Sequence, residues 1–384
     1  MRSDFPYPNV KKSTMKILAI DIGTGTQDIL LLDTDDAIEN AIQMVMPAPT
    51  IIASKRVKSA TQKSQNIKLT GKNMGGGPVT SAIKDHISSG FKVYATPEAA
   101  TTFDDDLDMV EQMGVLILSD DEMKKITGTN IILGDLDIDM LTSALMNFDV
   151  EANWDIMAAA VFDHGNAPPG YSDRKFRFDH LLRQINSNKT GFGSFVYLEN
   201  EIPDYLTRMK AVSETYSSKT RLLLMDTAEA AVLGSLEDHI VRSQNCKIVT
   251  NIGNEHTLAF HLHDQEILGI FEHHTHMLSK EKLETHLENL VIGNIDGEMV
   301  WKEQGHGAIV ISGDENMGFL SVIGPMRNLL ADSKLNPYFA TPHGSMMLAG
   351  PFGLVRACAE KFPEYTDQIS DALSGQHHGF TNSH

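Results

Sequence analysis

An α/β protein built in two halves is what this sequence predicts, on three observations. Continuous apolar runs at Lys16–Ile20, Trp154–Phe162 and Arg221–Met225 read as strands covered on both faces, and helix-patterned segments alternate with them. The chain opens on a strand, a Gly/Thr turn and a second strand at Ile29–Leu32. That unit then restarts at Cys246.

The opening unit, MKILAIDIGTGTQDILLLD, carries the most chemistry. Gly23 and Gly25 suit a turn that needs positive φ and close backbone approach to a ligand. Successive amides in such a turn form an anion cradle, to which Thr24 and Thr26 add hydroxyls. Asp21, at the strand end, is placed to hold Mg²⁺ through water. The stretch is not a dinucleotide fingerprint, because its last glycine is missing and a strand follows rather than a helix. Gly71–Pro78 lacks Gly-Lys-Ser/Thr and is no Walker loop.

Taken in order, Ala41–Met46 reads as a third strand and Thr50–Gln65 as a solvated helix. Asn66–Thr70, Phe91–Ala95 and Val115–Leu118 read as short strands, with a helix at Val79–Ser88. Ile138–Phe148 has a helical pattern that places Met140, Leu141, Ala144, Leu145 and Phe148 on one apolar face. Arg221–Met225 ends at Asp226 and leads into a small-residue helix, Ala228–Leu236. In the second half Cys246–Gly253 is a strand meeting a glycine turn, and Thr257–Leu262 and Glu266–Phe271 are further strands. A shift of 230 positions lays Asn251-Ile252-Gly253 on Asp21-Ile22-Gly23. Two such hairpins can clamp one polyphosphate between two lobes. Later, Glu281–Leu290 is a helix, Ala308–Ile311 a strand, and Gly324–Leu330 a turn leading into a helix. Met346–Ala349 reads as a buried strand, Gly350–Gly353 as a tight turn and Leu354–Lys361 as a helix. The expected boundaries are an extension at 1–14, a first lobe with insertions at 15–245, a second lobe at 246–373 and a disordered tail at 374–384.

Composition narrows the function. A net charge of −19 argues against nucleic-acid backbones and anionic membrane surfaces as partners. The two cysteines, Cys246 and Cys358, exclude a disulfide framework, a Cys-rich zinc site and a three-cysteine radical iron–sulfur motif within this chain. No apolar run approaches the ~18 residues of a membrane span, and the run behind Lys11 and Lys12 is broken by Asp21, so no signal peptide is expected. A cytoplasmic protein is the simplest expectation.

The order of DIGTGTQD (Asp21–Asp28), DTAEAAVLGSLED (Asp226–Asp238), NIGNEHT (Asn251–Thr257) and AGPFG (Ala349–Gly353) resembles the superfamily of acetate and sugar kinases, heat-shock chaperone ATPases and actin. More narrowly, DIGTGTQDILL, GKNMGGGPV, FDHGNAPPGYSDRKFRF, GDENMGFLSVIGP and MMLAGPFGLVRA resemble a prokaryotic family labelled as pyruvate formate-lyase-activating proteins, from about Met15 to Tyr365. The resemblance implies two actin-like (ribonuclease H-like) lobes around a nucleotide cleft. It implies ATP and Mg²⁺ as cofactors, with Asp21 and Asp226 at the metal. The backbone of Gly23, Thr24, Gly25, Thr26 and Gln27 would bind the β- and γ-phosphates, Gly253 and Thr257 would bind phosphate from the second lobe, and Gly350 and Gly353 would back the adenine. Asn251 stands where many relatives carry an Asp that acts as base or orients water; an amide can position water but cannot take its proton. Pro351 stands where the adenosine turn usually has a second glycine.

The function implied is a Mg-ATP-binding ATPase or phosphotransferase, acting on a client enzyme as its activator or on a small-molecule acceptor. A sensor that binds nucleotide or another phosphoanion without turnover is the alternative that Asn251 motivates. A small-acid or sugar kinase using Asp163 and His164 is a third. Asp163-His164 suits acid/base chemistry, and Arg174 and Arg177 suit forking onto phosphate or carboxylate; a loop-anchoring Asp with two solvated arginines is the plainer account. The histidines at 256, 261, 263, 273, 274 and 276 are dense, and His261 and His263 share a strand face, as a shared metal requires. His377, His378 and His384 fall in the tail. Gly75–Gly77 before Pro78 suits either a second anion site or an elbow.

Overall fold

The computed structural model describes residues 14–187, 191–217, 220–314 and 317–375. The expected extension and tail, save residue 14 and residues 374–375, lie outside the described residues. Two six-stranded sheets form the frame. The first contains β1 (Lys16–Ile22), β2 (Thr26–Asp33) and β3 (Ile42–Pro47). A separate four-stranded sheet follows, of β4 (Ile67–Gly71), β5 (Val93–Ala95), β6 (Val115–Ile117) and β7 (Thr129–Leu133). The first sheet is then completed by β8 (Ile156–Val161), β9 (Val196–Leu198) and β10 (Arg221–Asp226). The second six-stranded sheet contains β11 (Cys246–Ile252), β12 (His256–His263), β13 (Glu266–His274), β14 (Gly307–Val310), β15 (Phe319–Ile323) and β16 (Tyr338–Phe339).

The orders are β3-β2-β1-β8-β10-β9 and β14-β13-β12-β11-β15-β16. In each, a three-strand antiparallel meander is continued by two strands parallel to its first member. This shared order gives two actin-like lobes. The repeat holds to the residue: Ile22 pairs with Gln27 in the first hairpin, and Ile252 pairs with Thr257 in the second. The all-parallel sheet β6-β5-β4-β7 lies between β3 and β8 in the chain and has its own core of Val57, Ile67, Leu69, Ile83, Val93 and Ile131.

Two helices, Thr227–Ser235 and Ala349–Lys361, share a single core with both six-stranded sheets. It runs from Ile17 and Ala19 through Val232 and Phe352 to Val249 and Phe260. Their crossing is close enough to need glycine. A Cβ on Gly234 would lie 1.6 Å from the Ala349 carbonyl oxygen, and one on Gly353 would lie 1.9 Å from that of Ala230. Here the sequence expectation is corrected: Met346–Ala349 is not a strand and Gly350–Gly353 is not a turn. Both glycines lie in the opening turns of the Ala349–Lys361 helix. A Gly-Pro pair carries a local turn signal, but Pro351 sits in the first helical turn, where its missing N–H breaks no helical hydrogen bond. The Ile138–Met146 helix also departs from expectation, burying Leu141 and Leu145 while Met140 and Phe148 are exposed. No helix among the described residues is long and apolar enough to cross a membrane.

Candidate functional site: the cleft between the hairpins

The two hairpin turns close in the same way. Gly23 N donates to Thr26 O at 2.9 Å, and Gly253 N donates to His256 O at 2.9 Å. They meet across a cleft of about 840 Å³, where a Cβ on Gly25 would come within 2.5 Å of Asn254 Nδ2. Gly23, Gly25 and Gly253 have no positive φ, so that part of the expected reason for the first two is corrected. Space is what Gly25 and Gly253 provide, since a Cβ on Gly253 would lie 2.8 Å from His256 O.

At one wall stand two carboxylates. Asp21 and Asp28 are cross-strand partners in β1 and β2, so they share a face, and each is under a tenth exposed. Asp21 Oδ1 accepts from the Thr227 hydroxyl, at the start of the crossing helix. Asp28 accepts from Thr26 through Oδ2, while its buried Oδ1 has no hydrogen-bonding partner among the described residues. Burial pushes the Asp21 carboxyl up to about 7, with the Thr227 hydrogen bond opposing and Asp226 adding to the rise. Burial and then the charge of Asp21 push Asp28 up to about 8. The first turn of the Ala349–Lys361 helix presses on this pair: a Cβ on Gly350 would sit 2.0 Å from Asp21 Oδ2.

Of the residues expected here, Asp21, Gly23, Thr24, Gly25, Thr26, Asn251, Gly253 and Gly350 line the cleft. Four others do not. Gln27 turns to the third strand, its Nε2 donating to Pro47 O at 3.1 Å. Thr257 is fully buried and shares a hydrogen bond with the Thr275 hydroxyl at 2.9 Å. Gly353 is spent on the helix crossing. Asp226 closes a buried ion pair with Arg177 (2.8 and 3.2 Å), caps its helix through Ala228 N and accepts from Asp163 N. Burial opposes its charge, but Arg177 and those N–H groups hold its pKa below the usual carboxylate value. Its carboxylate is thus engaged by the protein's own groups.

For Asp163 the contacts are those of the loop-anchoring account. Asp163 accepts from Gly165 N through Oδ1 and from Met209 N through Oδ2, both at 2.9 Å, so both oxygens anchor the loop. His164 stands in a second cavity of about 1330 Å³ that also includes Gly75–Gly77 and shares Thr24, Phe162, Arg208 and His256 with the cleft. Burial, then the Arg177 charge, hold its imidazole neutral, with a pKa down to about 3. Arg177 is not solvated: its Nε donates to Glu272 Oε2 at 2.9 Å, joining the first lobe to β13. Arg174 donates to Gly305 O at 3.0 Å. The expected His261/His263 pair separates, with His261 buried, His263 exposed and the register shifting just after His261.

Sequence reasoning missed Asp28, Thr227 and Arg208. Asp28 had a signal, since a hairpin closing on Ile22 and Gln27 must pair Asp21 with Asp28. Arg208 had none. It reaches the cleft from a distant helix, tied to Asp135 at 2.6 and 3.0 Å.

Solved structures similar to this chain include a Bacteroides thetaiotaomicron protein with actin-like ATPase fold and unknown function (9% identity, 90% of this chain and 99% of that one, TM-score 0.34). The ethanolamine utilization protein EutJ of Carboxydothermus hydrogenoformans is another (11% identity, 90% of each chain, TM-score 0.30). So is the ROK hexokinase of Thermus thermophilus (11% identity, 89% of this chain and 98% of that one, TM-score 0.28). No curated protein matches. A family model described as "Putative pyruvate format-lyase activating enzyme (DUF1786)" matches residues 74–329, well over half of the chain. The chain belongs to that family.

Proposed function

We propose that this protein binds Mg-ATP between its lobes and works as an ATPase or phosphotransferase. The observation that carries the reading is the pair of equivalent glycine turns, one from each lobe, meeting beside Asp21 and Asp28. The residues fit a hard divalent cation. Two adjacent carboxylates whose ionisation is suppressed, one with an orphaned buried oxygen, are stabilised by a counter-charge. Asp21 and Asp28 would hold Mg²⁺, and the turn amides would receive phosphate oxygens. Bound there, Mg²⁺ would offset charge on the phosphate oxygens. Because the turns come from different lobes, phosphate held by both would favour the closed arrangement.

Calorimetry of ATP binding with and without Mg²⁺, with phosphate release followed in the same samples, tests this. Asp21→Ala should abolish Mg-dependent binding; unchanged binding removes Asp21 from the site. A second reading, a nucleotide sensor, is favoured by Asn251, the cleft residue equivalent to Asp21, whose amide cannot act as a base. In that reading ATP binds without turnover and Asn251→Asp confers it. Turnover by the unaltered protein at enzyme-like rates rejects the sensor. An activator role toward a client enzyme would rest on nucleotide-driven closure, since two cysteines cannot supply a three-cysteine cluster motif.

A further inference from the structure

His164 and His256 line the second cavity, and with the buried His306 they form a constellation that the nucleotide reading leaves unused. One ring nitrogen from each of His164, His256 and His306 lies within 4.8 Å of the other two. We propose that these three histidines form a binding site for a divalent transition-metal ion, zinc-like in its preference for imidazole, that clasps the two lobes beside the cleft.

The donors come from three separate elements. His164 follows β8 of the first lobe, His256 opens β12 and His306 immediately precedes β14 of the second lobe. Around one tetrahedral ion at ~2.1 Å, three nitrogens stand roughly 3.3 Å apart. The rings would close by at most about 1.5 Å, within reach of side-chain rotation because His164 and His256 are only partly buried and line the cavity.

Plain packing of histidine rings is the competing account, and two features speak against it. His306 is 2% exposed, yet its Nε2 has no hydrogen-bonding partner among the described residues. That is an expensive arrangement for a ring serving only to fill space. Glu272 Oε1, with no other partner among the described residues, lies 3.1 Å from His306 Nδ1, an ion-pair distance. A carboxylate behind an imidazole is the usual support of a metal-bound histidine, orienting the ring and raising its basicity. The lining of the cavity agrees, with Asp104, Asp105, Asp173 and Glu255 set against Arg208. Three protein ligands leave a coordination position open. It would face the cavity that shares Thr24 and His256 with the phosphate turns, where water or an oxyanion can enter.

The test is titration of the full, chelator-treated chain with Co²⁺ in the absence of nucleotide, read by visible absorption and equilibrium dialysis, then displacement by Zn²⁺. The expected result is one Co²⁺ per chain, displaced by Zn²⁺. His164→Ala and His256→Ala should each weaken binding roughly 100-fold or more. His261→Ala and the paired His377→Ala and His378→Ala substitutions should leave it unchanged. Thermal midpoints check folding, and His164→Gln replaces any alanine variant that fails to fold. Failure to retain Co²⁺ or Zn²⁺, or equal retention by the His164 and His256 variants, overturns the proposal. Loss in Asp21→Asn with retention in His164→Ala would move the ion to the carboxylates and overturn it too. The readout needs no ATP, so it stands apart from the nucleotide reading.

Discussion

Replacing Asp28 with Asn should make the nucleotide-free protein more stable. In the unfolded chain this carboxyl ionises near 3.8; in the fold, burial and the neighbouring Asp21 hold it protonated to about 8. Between those values the folded state keeps a proton that the unfolded state releases, so stability falls as pH rises through the window. The cost is absent below about 3.8 and complete above about 8. At pH 7 it spans about three pH units, or about 4 kcal/mol at ~1.4 kcal/mol per unit. Asn has nearly the same shape, keeps an acceptor for the Thr26 hydroxyl and has no proton to lose. Partial access of water trims the gain to about 2–4 kcal/mol, or roughly 2–5 °C in the thermal midpoint for a chain of this size. Thermal denaturation of both proteins at pH 7.5 and 4.5 measures it, the gain shrinking to about 1 kcal/mol or less at the lower pH. Equal midpoints at pH 7.5, or a gain as large at pH 4.5, would refute the account of the carboxylate pair. The stabilised variant should also lose the midpoint increase that Mg-ATP gives the unaltered protein, because the charge that welcomes the cation is the one removed.

The crossing of the two central helices gives a structural test. Gly234→Ala puts a methyl 1.6 Å from the Ala349 carbonyl oxygen and should cost about 3 kcal/mol or more, read from denaturant midpoints. A loss under about 1 kcal/mol would mean that the helices can separate freely. Arg177→Met leaves Asp226 and Glu272 buried without their cation and should cost about 3–5 kcal/mol. A much smaller loss would show that one of these carboxylates is already protonated.

Much of the frame was legible from residue pattern, because it rests on local rules. The strands at Lys16–Ile22, Ile156–Val161 and Arg221–Asp226 are continuous apolar runs, as burial on both faces requires. The offset of 230 positions between Asp21 and Asn251 survives as equivalent hairpin registers. Local rules failed where a neighbour distant in sequence decides. Gly350-Pro-Phe-Gly353 has turn chemistry, yet its glycines answer to Asp21 and Ala230, well over a hundred positions upstream. Phe148 fits the apolar stripe that the sequence suggests, but the helix ends at Met146 and Phe148 is 80% exposed.

The same distinction explains the site. Asp21, Thr24 and Gly253 were legible because each belongs to a contiguous motif that forms its own wall of the cleft. Asp226 and Asp163 carry contacts that no motif announces: Asp226 is paired with Arg177, which also holds Glu272, and Asp163 accepts from Gly165 N and Met209 N. Histidine density pointed to β12, where strand alternation made His261 and His263 a pair. The fold instead gathers His256 from the turn with His164 and His306, 92 positions before it and 50 after. No periodicity joins residues so placed. What joins them is that β8 and β14 approach the second hairpin from opposite lobes, and that convergence is a property of the assembled fold.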